Sequence, residues 1–150
     1  MRVLLLSGGR SAEHEISEVS AGFVGGILEG SGHSVVRAKI ERDGSWHCLG
    51  ERLFIEAVHP VWRLFSGERE LEFDLVFPVL HGPYGEDGTL QGLCMMAGWP
   101  FAGADVMTSA AAMNKITAKE LAAGHGIPVL PWKSFSRWEH PSTTDVEEIG

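Results

Sequence analysis

The sequence predicts an α/β fold with a parallel sheet, and three observations carry that prediction. Two apolar runs, Val3–Leu6 and Leu75–Leu80, have the length and composition of strands buried on both faces. Each run breaks into glycines, Gly8-Gly9 after the first and Gly82, Gly85 and Gly88 after the second. A helix-spaced apolar series follows the first break, at Ile16, Val19, Phe23, Val24, Ile27 and Leu28, and the chain then turns extended again. Strand, helix and strand in that order favour a parallel pair with a right-handed crossover.

The elements follow in order. Arg2–Ser7 reads as the first strand, and Gly30 and Gly32 stop the helix after it. Ser34–Ile40 reads as the second strand. Arg42-Asp43-Gly44-Ser45 is a turn from which Trp46–Leu49 returns as a further strand. Glu51–Phe73 is the least regular stretch. Pro60 interrupts any helix there, Gly67 turns a polar hairpin, and the region is expected to be a surface excursion; no chemistry is attached to His47, His59 or the tryptophans, which are expected to pack. After Leu75–Leu80, Thr89 is placed to cap a helix from Leu90 to about Ala97. Trp99–Ala102 suits a short strand, Asp105 caps a helix over Val106–Met113, and Lys115–Ala123 forms another helix. Ile127–Phe135, with Pro128 and Pro131, is an edge strand at best, and the chain from Arg137 is polar.

Composition excludes several classes of function. The chain has 150 residues, 44% hydrophobic and 21% charged, with a net charge of −8. Those are the values of a soluble globular protein, and the acidic balance without a basic arm disfavours nucleic acid or an anionic membrane as partner. Val3–Leu6 is too short to span a membrane and lacks the flanks of a signal peptide. Cys48 and Cys94 have no metal or redox spacing, so reduced thiols in a cytoplasm are the simplest reading. The first turn, Ser7-Gly8-Gly9-Arg10-Ser11-Ala12, does not fit GxGxxG, which leaves Glu41 after the second strand as weak support for a dinucleotide site.

The stretch 74–92, DLVFPVLHGPYGEDGTLQG, organises the rest. A strand that ends in a glycine-rich loop and re-enters as a helix sets that loop at the carboxyl edge of a sheet, where ligands of open α/β folds gather. Glycines let backbone approach a ligand, and a helix start offers N–H groups to an anion, so the loop suits something small and negatively charged. Plainer roles stand beside this one. Glu13 reads locally as a first-turn acid, His14 as part of a solvated face, Glu15 as a helix-start acid, and His81 as a loop histidine bonded to backbone. Glu86-Asp87 is read as holding the turn rather than a metal, Lys115 alone as a surface lysine, and Met95-Met96 as core.

Three stretches bear on a family. They are Gly8-Gly9-Arg10-Ser11-Ala12-Glu13-His14-Glu15-Ile16-Ser17, the loop His81–Gly92, and Ser109–Lys115. In this order they resemble the D-alanine–D-alanine ligases of the ATP-grasp family, and the resemblance covers nearly all of the chain. It implies a three-layer Rossmann-like (pre-ATP-grasp) amino-terminal domain over residues 1–113. Residues 114–150 would begin the ATP-grasp central domain.

The resemblance also implies an activity, the ATP-dependent joining of two D-alanines through an acyl phosphate for peptidoglycan synthesis. Rival readings are a D-alanyl–D-lactate or D-alanyl–D-serine ligase, or a non-catalytic binding or dimerisation module when the fragment stands alone. By position, Glu13 would be catalytic, orienting the ammonium of the first D-alanine. His81, with Gly82 shaping the wall, would lie by that substrate's carboxylate, and Lys115 would contact ATP phosphate. Met113-Asn114-Lys115 has asparagine where the family pattern has aspartate, which keeps a helix cap and loses a charge. ATP and Mg²⁺ are the implied cofactors, the metal being held by parts outside these residues. D-alanine and ATP are the implied partners, and a homodimer the implied assembly.

Overall fold

In the computed structural model, which describes residues 1–58 and 60–142, β1 (Arg2–Gly8) forms the middle of a parallel trio. After α1 (His14–Gly30), β2 (Ser34–Ile40) pairs with β1 in parallel from Arg2↔Ser34 to Gly8↔Ile40. The sheet continues through β3 (Trp46–Cys48), β4 (Glu51–Glu56), β5 (Arg63–Ser66) and β6 (Arg69–Glu70), each antiparallel to its predecessor. β7 (Leu75–Pro78) then returns to the free side of β1, in parallel, from Val3↔Leu75 to Leu6↔Pro78. The spatial order is β6-β5-β4-β3-β2-β1-β7.

The fold is α/β as expected, but the sheet is mixed rather than wholly parallel. The links from β2 to β6 are six residues or fewer, down to the two-residue turns Leu49-Gly50 and Gly67-Glu68, and parallel neighbours need a crossover of a dozen or more residues. Gly67 does turn the β5–β6 hairpin. The stretch 51–73 is nevertheless no surface excursion, because Leu53, Leu64 and Leu71 are buried in the main core. Each of those strands buries so few side chains that no alternation shows in the sequence. His59 and residues 143–150 lie outside the described residues.

Strand alternation divides the core between two faces. Leu4 and Leu6 join Val76, Cys94, Ala97 and Trp99 on the side of α2 (Thr89–Ala97). Val3 and Leu5, equally buried, point the other way, toward the face on which α1 packs against β1 and β2. The inner side of α1 is lined by small residues, Ser17, Ala21 and Gly25, and a Cβ at Gly25 would meet the Arg37 guanidinium at 2.3 Å. Four of the six apolar residues that marked the helix therefore face outward, Ile16, Val19, Phe23 and Ile27 being exposed, while Val24 and Leu28 are half-buried. Met95 and Met96 are likewise exposed rather than core, since Leu90, Cys94 and Ala97 take the inner face of α2. Arg2 at the start of β1 pairs with Asp74 just before β7, at 2.8 Å, and fixes the trio at its amino edge.

The remaining elements match their sequence cues in part. Trp99 packs edge-on against Phe73, ring centres 5.2 Å apart, and donates to the Trp62 carbonyl at 2.7 Å, while Trp138 is exposed. The strand expected at Trp99–Ala102 is reduced to one bridge, Val76↔Phe101. Asp105 caps α3 (Val106–Met113) by accepting from Thr108 N–H at 2.8 Å. The chain divides by contacts into two units, Met1–Met113 and Asn114–Gly150. In the second, Asn114 caps α4 (Lys115–Gly124) through Ile116 and Thr117 N–H. Ile127–Phe135 forms no strand. Prolines there remove the donors a ladder needs. Among the described residues no helix is long and apolar enough to cross a membrane.

Candidate functional site

Because β1, β2 and β7 are parallel, the loops that leave them all emerge at one edge of the sheet. Those loops are Gly9–Glu13, Glu41–Ser45 and Val79–Gly88. Four contacts bind them together. Gly9 N–H donates to Ile40 carbonyl at 2.7 Å, at the root of the first two. Arg42 donates to the Ser11 carbonyl at 3.2 Å and grips Glu15 with bonds of 2.6 and 2.7 Å. The Arg10 guanidinium lies over the Tyr84 ring, 4.7 Å from its centre. Ser17, fully buried on α1, accepts from Gly8 N–H and donates to the Val79 carbonyl.

These contacts sort the acids at the start of α1. Arg42 holds the Glu15 carboxyl below its usual range and occupies it. Glu13, at the helix N-cap with φ −94° and ψ 20°, makes no side-chain capping bond. Among the described residues its carboxylate has no ion-pair or hydrogen-bond partner, and it lies against Gly82, where a Cβ would stand 3.0 Å from Oε2. Gly82 is buried at φ +71°, so the left-handed turn and the close approach both call for glycine. Glu13 and Gly82, far apart in sequence, are thus neighbours.

The loop that carries His81 is held from within. Glu86 accepts from Gly82 N–H at 2.6 Å, and Asp87 accepts from Tyr84 and Thr89 N–H at 2.9 and 3.0 Å. Partial burial opposes ionisation of Asp87, yet the N–H donors of Tyr84 and Thr89 leave its carboxyl below the usual range. Both acids therefore serve the turn. Gly88, in the left-handed conformation, takes the N-cap position of α2 that Thr89 was expected to fill. Tyr84 itself is left-handed at φ 68°, an uncommon state for a bulky residue that the surrounding bonds maintain. His81 Nε2 is buried without a hydrogen-bond partner, as are His33 Nδ1, His47 Nδ1 and Gln91 Oε1.

A cavity of about 180 Å³ opens at this edge, lined by Gly9, Arg10, Trp46, Leu80, His81 and Tyr84 among others. It shares His81 and both glycine loops with the Glu13 neighbourhood, but its lining is largely apolar and does not include Glu13.

His14 is not solvated. It is 4% exposed, Nδ1 lies 2.7 Å from the Gly9 carbonyl, and its ring packs beneath Gly8. Lys115 opens α4 in the second unit and is exposed. Glu41 pairs with Lys39 at 3.4 Å. Sequence reasoning missed Arg10, Arg42 and Ser17, which bind the loops together. Only the position of Ser17, on the helix face of His14 and Ala21, could have signalled its role. Burial pushes the Cys94 thiol up to about 11, which makes it an inert core residue.

A parallel trio whose glycine loops meet at one edge of the sheet, beside the unpaired Glu13 carboxylate and the His81 ring, defines a domain of the α/β class. The family model described as D-ala D-ala ligase N-terminus matches residues 2–104, and the chain belongs to that family. It is 38% identical to a D-alanine–D-alanine ligase of Deinococcus radiodurans over 152 residues, covering 97% of this chain and 44% of that relative. A D-alanine–D-alanine ligase of Enterococcus gallinarum is 40% identical over 144 residues, 88% of this chain and 45% of the relative. Among solved structures, the D-alanine–D-alanine ligase of Coxiella burnetii superposes with a TM-score of 0.88 at 28% identity, over 99% of this chain and 48% of that one. The VanG D-Ala:D-Ser ligase of Enterococcus faecalis gives 0.77 at 32% identity, over 87% and 43%. The chain thus spans under half the length of the curated relatives it matches.

Proposed function

We propose that this chain is the amino-terminal portion of a cytoplasmic ATP-dependent ligase that joins two D-alanines for peptidoglycan synthesis. The observation that carries the reading is the free Glu13 carboxylate against Gly82, next in sequence to a histidine whose Nε2 has no partner. An amino acid is a zwitterion, and this pair offers an anion for its ammonium and an N–H donor for its carboxylate. In the reaction the first D-alanine's carboxylate attacks the γ-phosphate of ATP and ADP leaves. The amine of the second D-alanine then displaces phosphate and loses a proton as the amide forms. Glu13 and His81 contribute orientation, which converts an encounter into a positioned attack.

Residues 114–150 begin the ATP-grasp central domain in this reading, and Lys115 reaches ATP phosphate. Among the described residues no group of three histidines, cysteines or acids is placed to hold a metal, and in this reading Mg²⁺ would be held by the rest of the ligase. Lys115→Ala, in a ligase whose amino-terminal portion is this sequence, is expected to raise KM for ATP with little change for D-alanine. A charge-assisted phosphate contact is worth about 1.5–3 kcal/mol. Steady-state kinetics with ATP varied check this, and unchanged values return Lys115 to the surface.

The reading as a whole is tested by supplying that ligase with D-alanine, ATP and Mg²⁺ and assaying phosphate and dipeptide. D-serine and D-lactate as second substrates separate the related ligases, of which the likeness to VanG makes D-serine the first to try. Absence of any D-alanine-dependent product overturns the assignment. The 150-residue chain alone is expected to fold but not to hydrolyse ATP in the presence of D-alanine, and amino-acid-stimulated phosphate release by it overturns this.

A homodimer belongs to the same proposal. Ile16, Val19, Phe23 and Ile27 form an exposed apolar stripe on α1, with Phe23 73% accessible. The flanking acids Glu15, Glu18 and Glu29 are each paired, to Arg42, Lys39 and Arg37, so the stripe carries no uncompensated charge. That matters in a chain of net charge −8, whose copies otherwise repel. A two-fold pairing of α1 with itself covers the stripe. Phe23→Asp is expected to shift the ligase from dimer to monomer by light scattering after size exclusion, and a persistent dimer sends the interface elsewhere.

A further inference from the structure

We infer that Ser17 is a positioning residue that holds open the crevice for the first D-alanine, by standing where two strands would otherwise bond directly. The inference rests on the D-alanine reading of Glu13 and His81. In the register of β1 and β7, Leu6 lies opposite Pro78, so Ser7 and Val79 are the next pair. A parallel ladder gives Val79 two bonds to β1, one from its N–H to the carbonyl of Leu6 and one to its carbonyl from the N–H of Gly8. The first is made, at 2.9 Å. The second is not direct. Gly8 N–H donates to Ser17 Oγ at 2.8 Å, and the Ser17 hydroxyl donates to the Val79 carbonyl.

A side chain from α1 has therefore entered the ladder and occupies one rung. Two hydrogen bonds in series through an oxygen span roughly 4–5 Å, against about 2.9 Å for one direct bond. The strands are thus spread just where each hands over to the site, β1 toward Gly9 and Glu13, β7 toward His81 and Gly82. Ser17 is fully buried, and its neighbours on the inner helix face, Ala21 and Gly25, are small and apolar. Alanine would fill that place without a buried hydroxyl, and the two backbone groups would remain free to pair with each other. The hydroxyl commits its one donor and one of its acceptor sites to keeping them apart. His14 supports the same turn from the next position inward, beneath Gly8.

Two readouts test this. In the 150-residue chain, the through-hydrogen-bond NMR coupling from Gly8 nitrogen to Val79 carbonyl carbon is expected to be absent, and to appear in Ser17→Ala as the rung closes. In a ligase carrying this segment, Ser17→Ala is expected to raise KM for the first D-alanine tenfold or more. KM for ATP stays unchanged, and Ser17→Thr, which keeps the hydroxyl, restores the D-alanine value. Should Ser17→Ala not fold, Ser17→Cys, whose thiol is a poor donor, replaces it in both measurements. A direct Gly8–Val79 coupling in the wild-type chain overturns the inference. So does normal first-site KM in the variant, or an equal decline of all constants in step with a lower melting temperature. A wild-type ligase inert toward D-alanine removes the functional reading and leaves the coupling result standing.

Discussion

Glu13→Gln, in a ligase whose amino-terminal portion is this sequence, is expected to lower use of D-alanine at the first subsite tenfold or more while melting barely moves. The glutamine keeps the side chain's length and its hydrogen-bonding reach against Gly82, and removes only the charge. Two roles for Glu13 predict opposite outcomes. As a helix-start acid it would contribute about 0.3–1 kcal/mol of stability and nothing to kinetics. As the partner of an ammonium it would contribute little to folding, since its carboxylate bonds to nothing among the described residues, and its loss would fall on the substrate. A tenfold loss needs only about 1.4 kcal/mol, less than a charge-assisted bond typically supplies. ATP affinity should not change. Kinetics resolved for the two D-alanine sites, run beside a thermal melt, check this, and a melting drop with normal first-site kinetics ends the catalytic role.

Glu13 illustrates what the sequence made legible. Its position after a glycine turn at a strand's end placed it at the sheet's carboxyl edge, and the structure sets it there beside Gly82. That part of the fold was readable because it is written in local signals, a buried apolar run, a glycine break and a helical period. β1, α1, β2 and α2 follow those signals to within a residue or two. Orientation was not readable. The apolar residues of α1 announced a helix but not which side would face the sheet, and the close approach required by Arg37 and Gly25 gave the inner face to small residues. The same holds for Met95 and Met96, whose neighbours Cys94 and Ala97 lie inward. The antiparallel half of the sheet was hidden for another reason: β4 and β5 bury one leucine each, β3 only Cys48 and β6 nothing, too sparse a pattern to count. Bonds across the chain, such as Arg42 to Glu15 or Arg10 over Tyr84, join residues with no local relation and leave no trace in spacing.

Gly8→Ala is expected to be among the most destabilising single substitutions in the first unit, and the geometry says why. Gly8 ends β1 at φ +81°, where an L side chain is strained at a cost of about 1–3 kcal/mol. A Cβ there would stand 2.4 Å from the Ile40 carbonyl oxygen and 2.9 Å from His14 Cε1. Neither neighbour can yield cheaply. The Ile40 oxygen is backbone at the end of β2 and accepts the Gly9 N–H, and the His14 ring is buried with Nδ1 committed to the Gly9 carbonyl. Relieving the clash therefore opens the β1–β2 ladder or expels His14, and overpacking of this kind adds roughly 1–3 kcal/mol to the strain. The sum, about 2–6 kcal/mol, is a large part of the ~5–15 kcal/mol that holds a domain folded. Gly92→Ala is the matching control. Gly92 lies inside α2 with nothing within 4 Å of the place an alanine Cβ would take, so alanine there should raise stability by about 0.5–1 kcal/mol. Urea titration of the 150-residue chain and its two variants checks both signs. Equal midpoints for Gly8→Ala and the wild type would mean that the turn between β1 and α1 is not held as closely against β2 and His14 as these distances require.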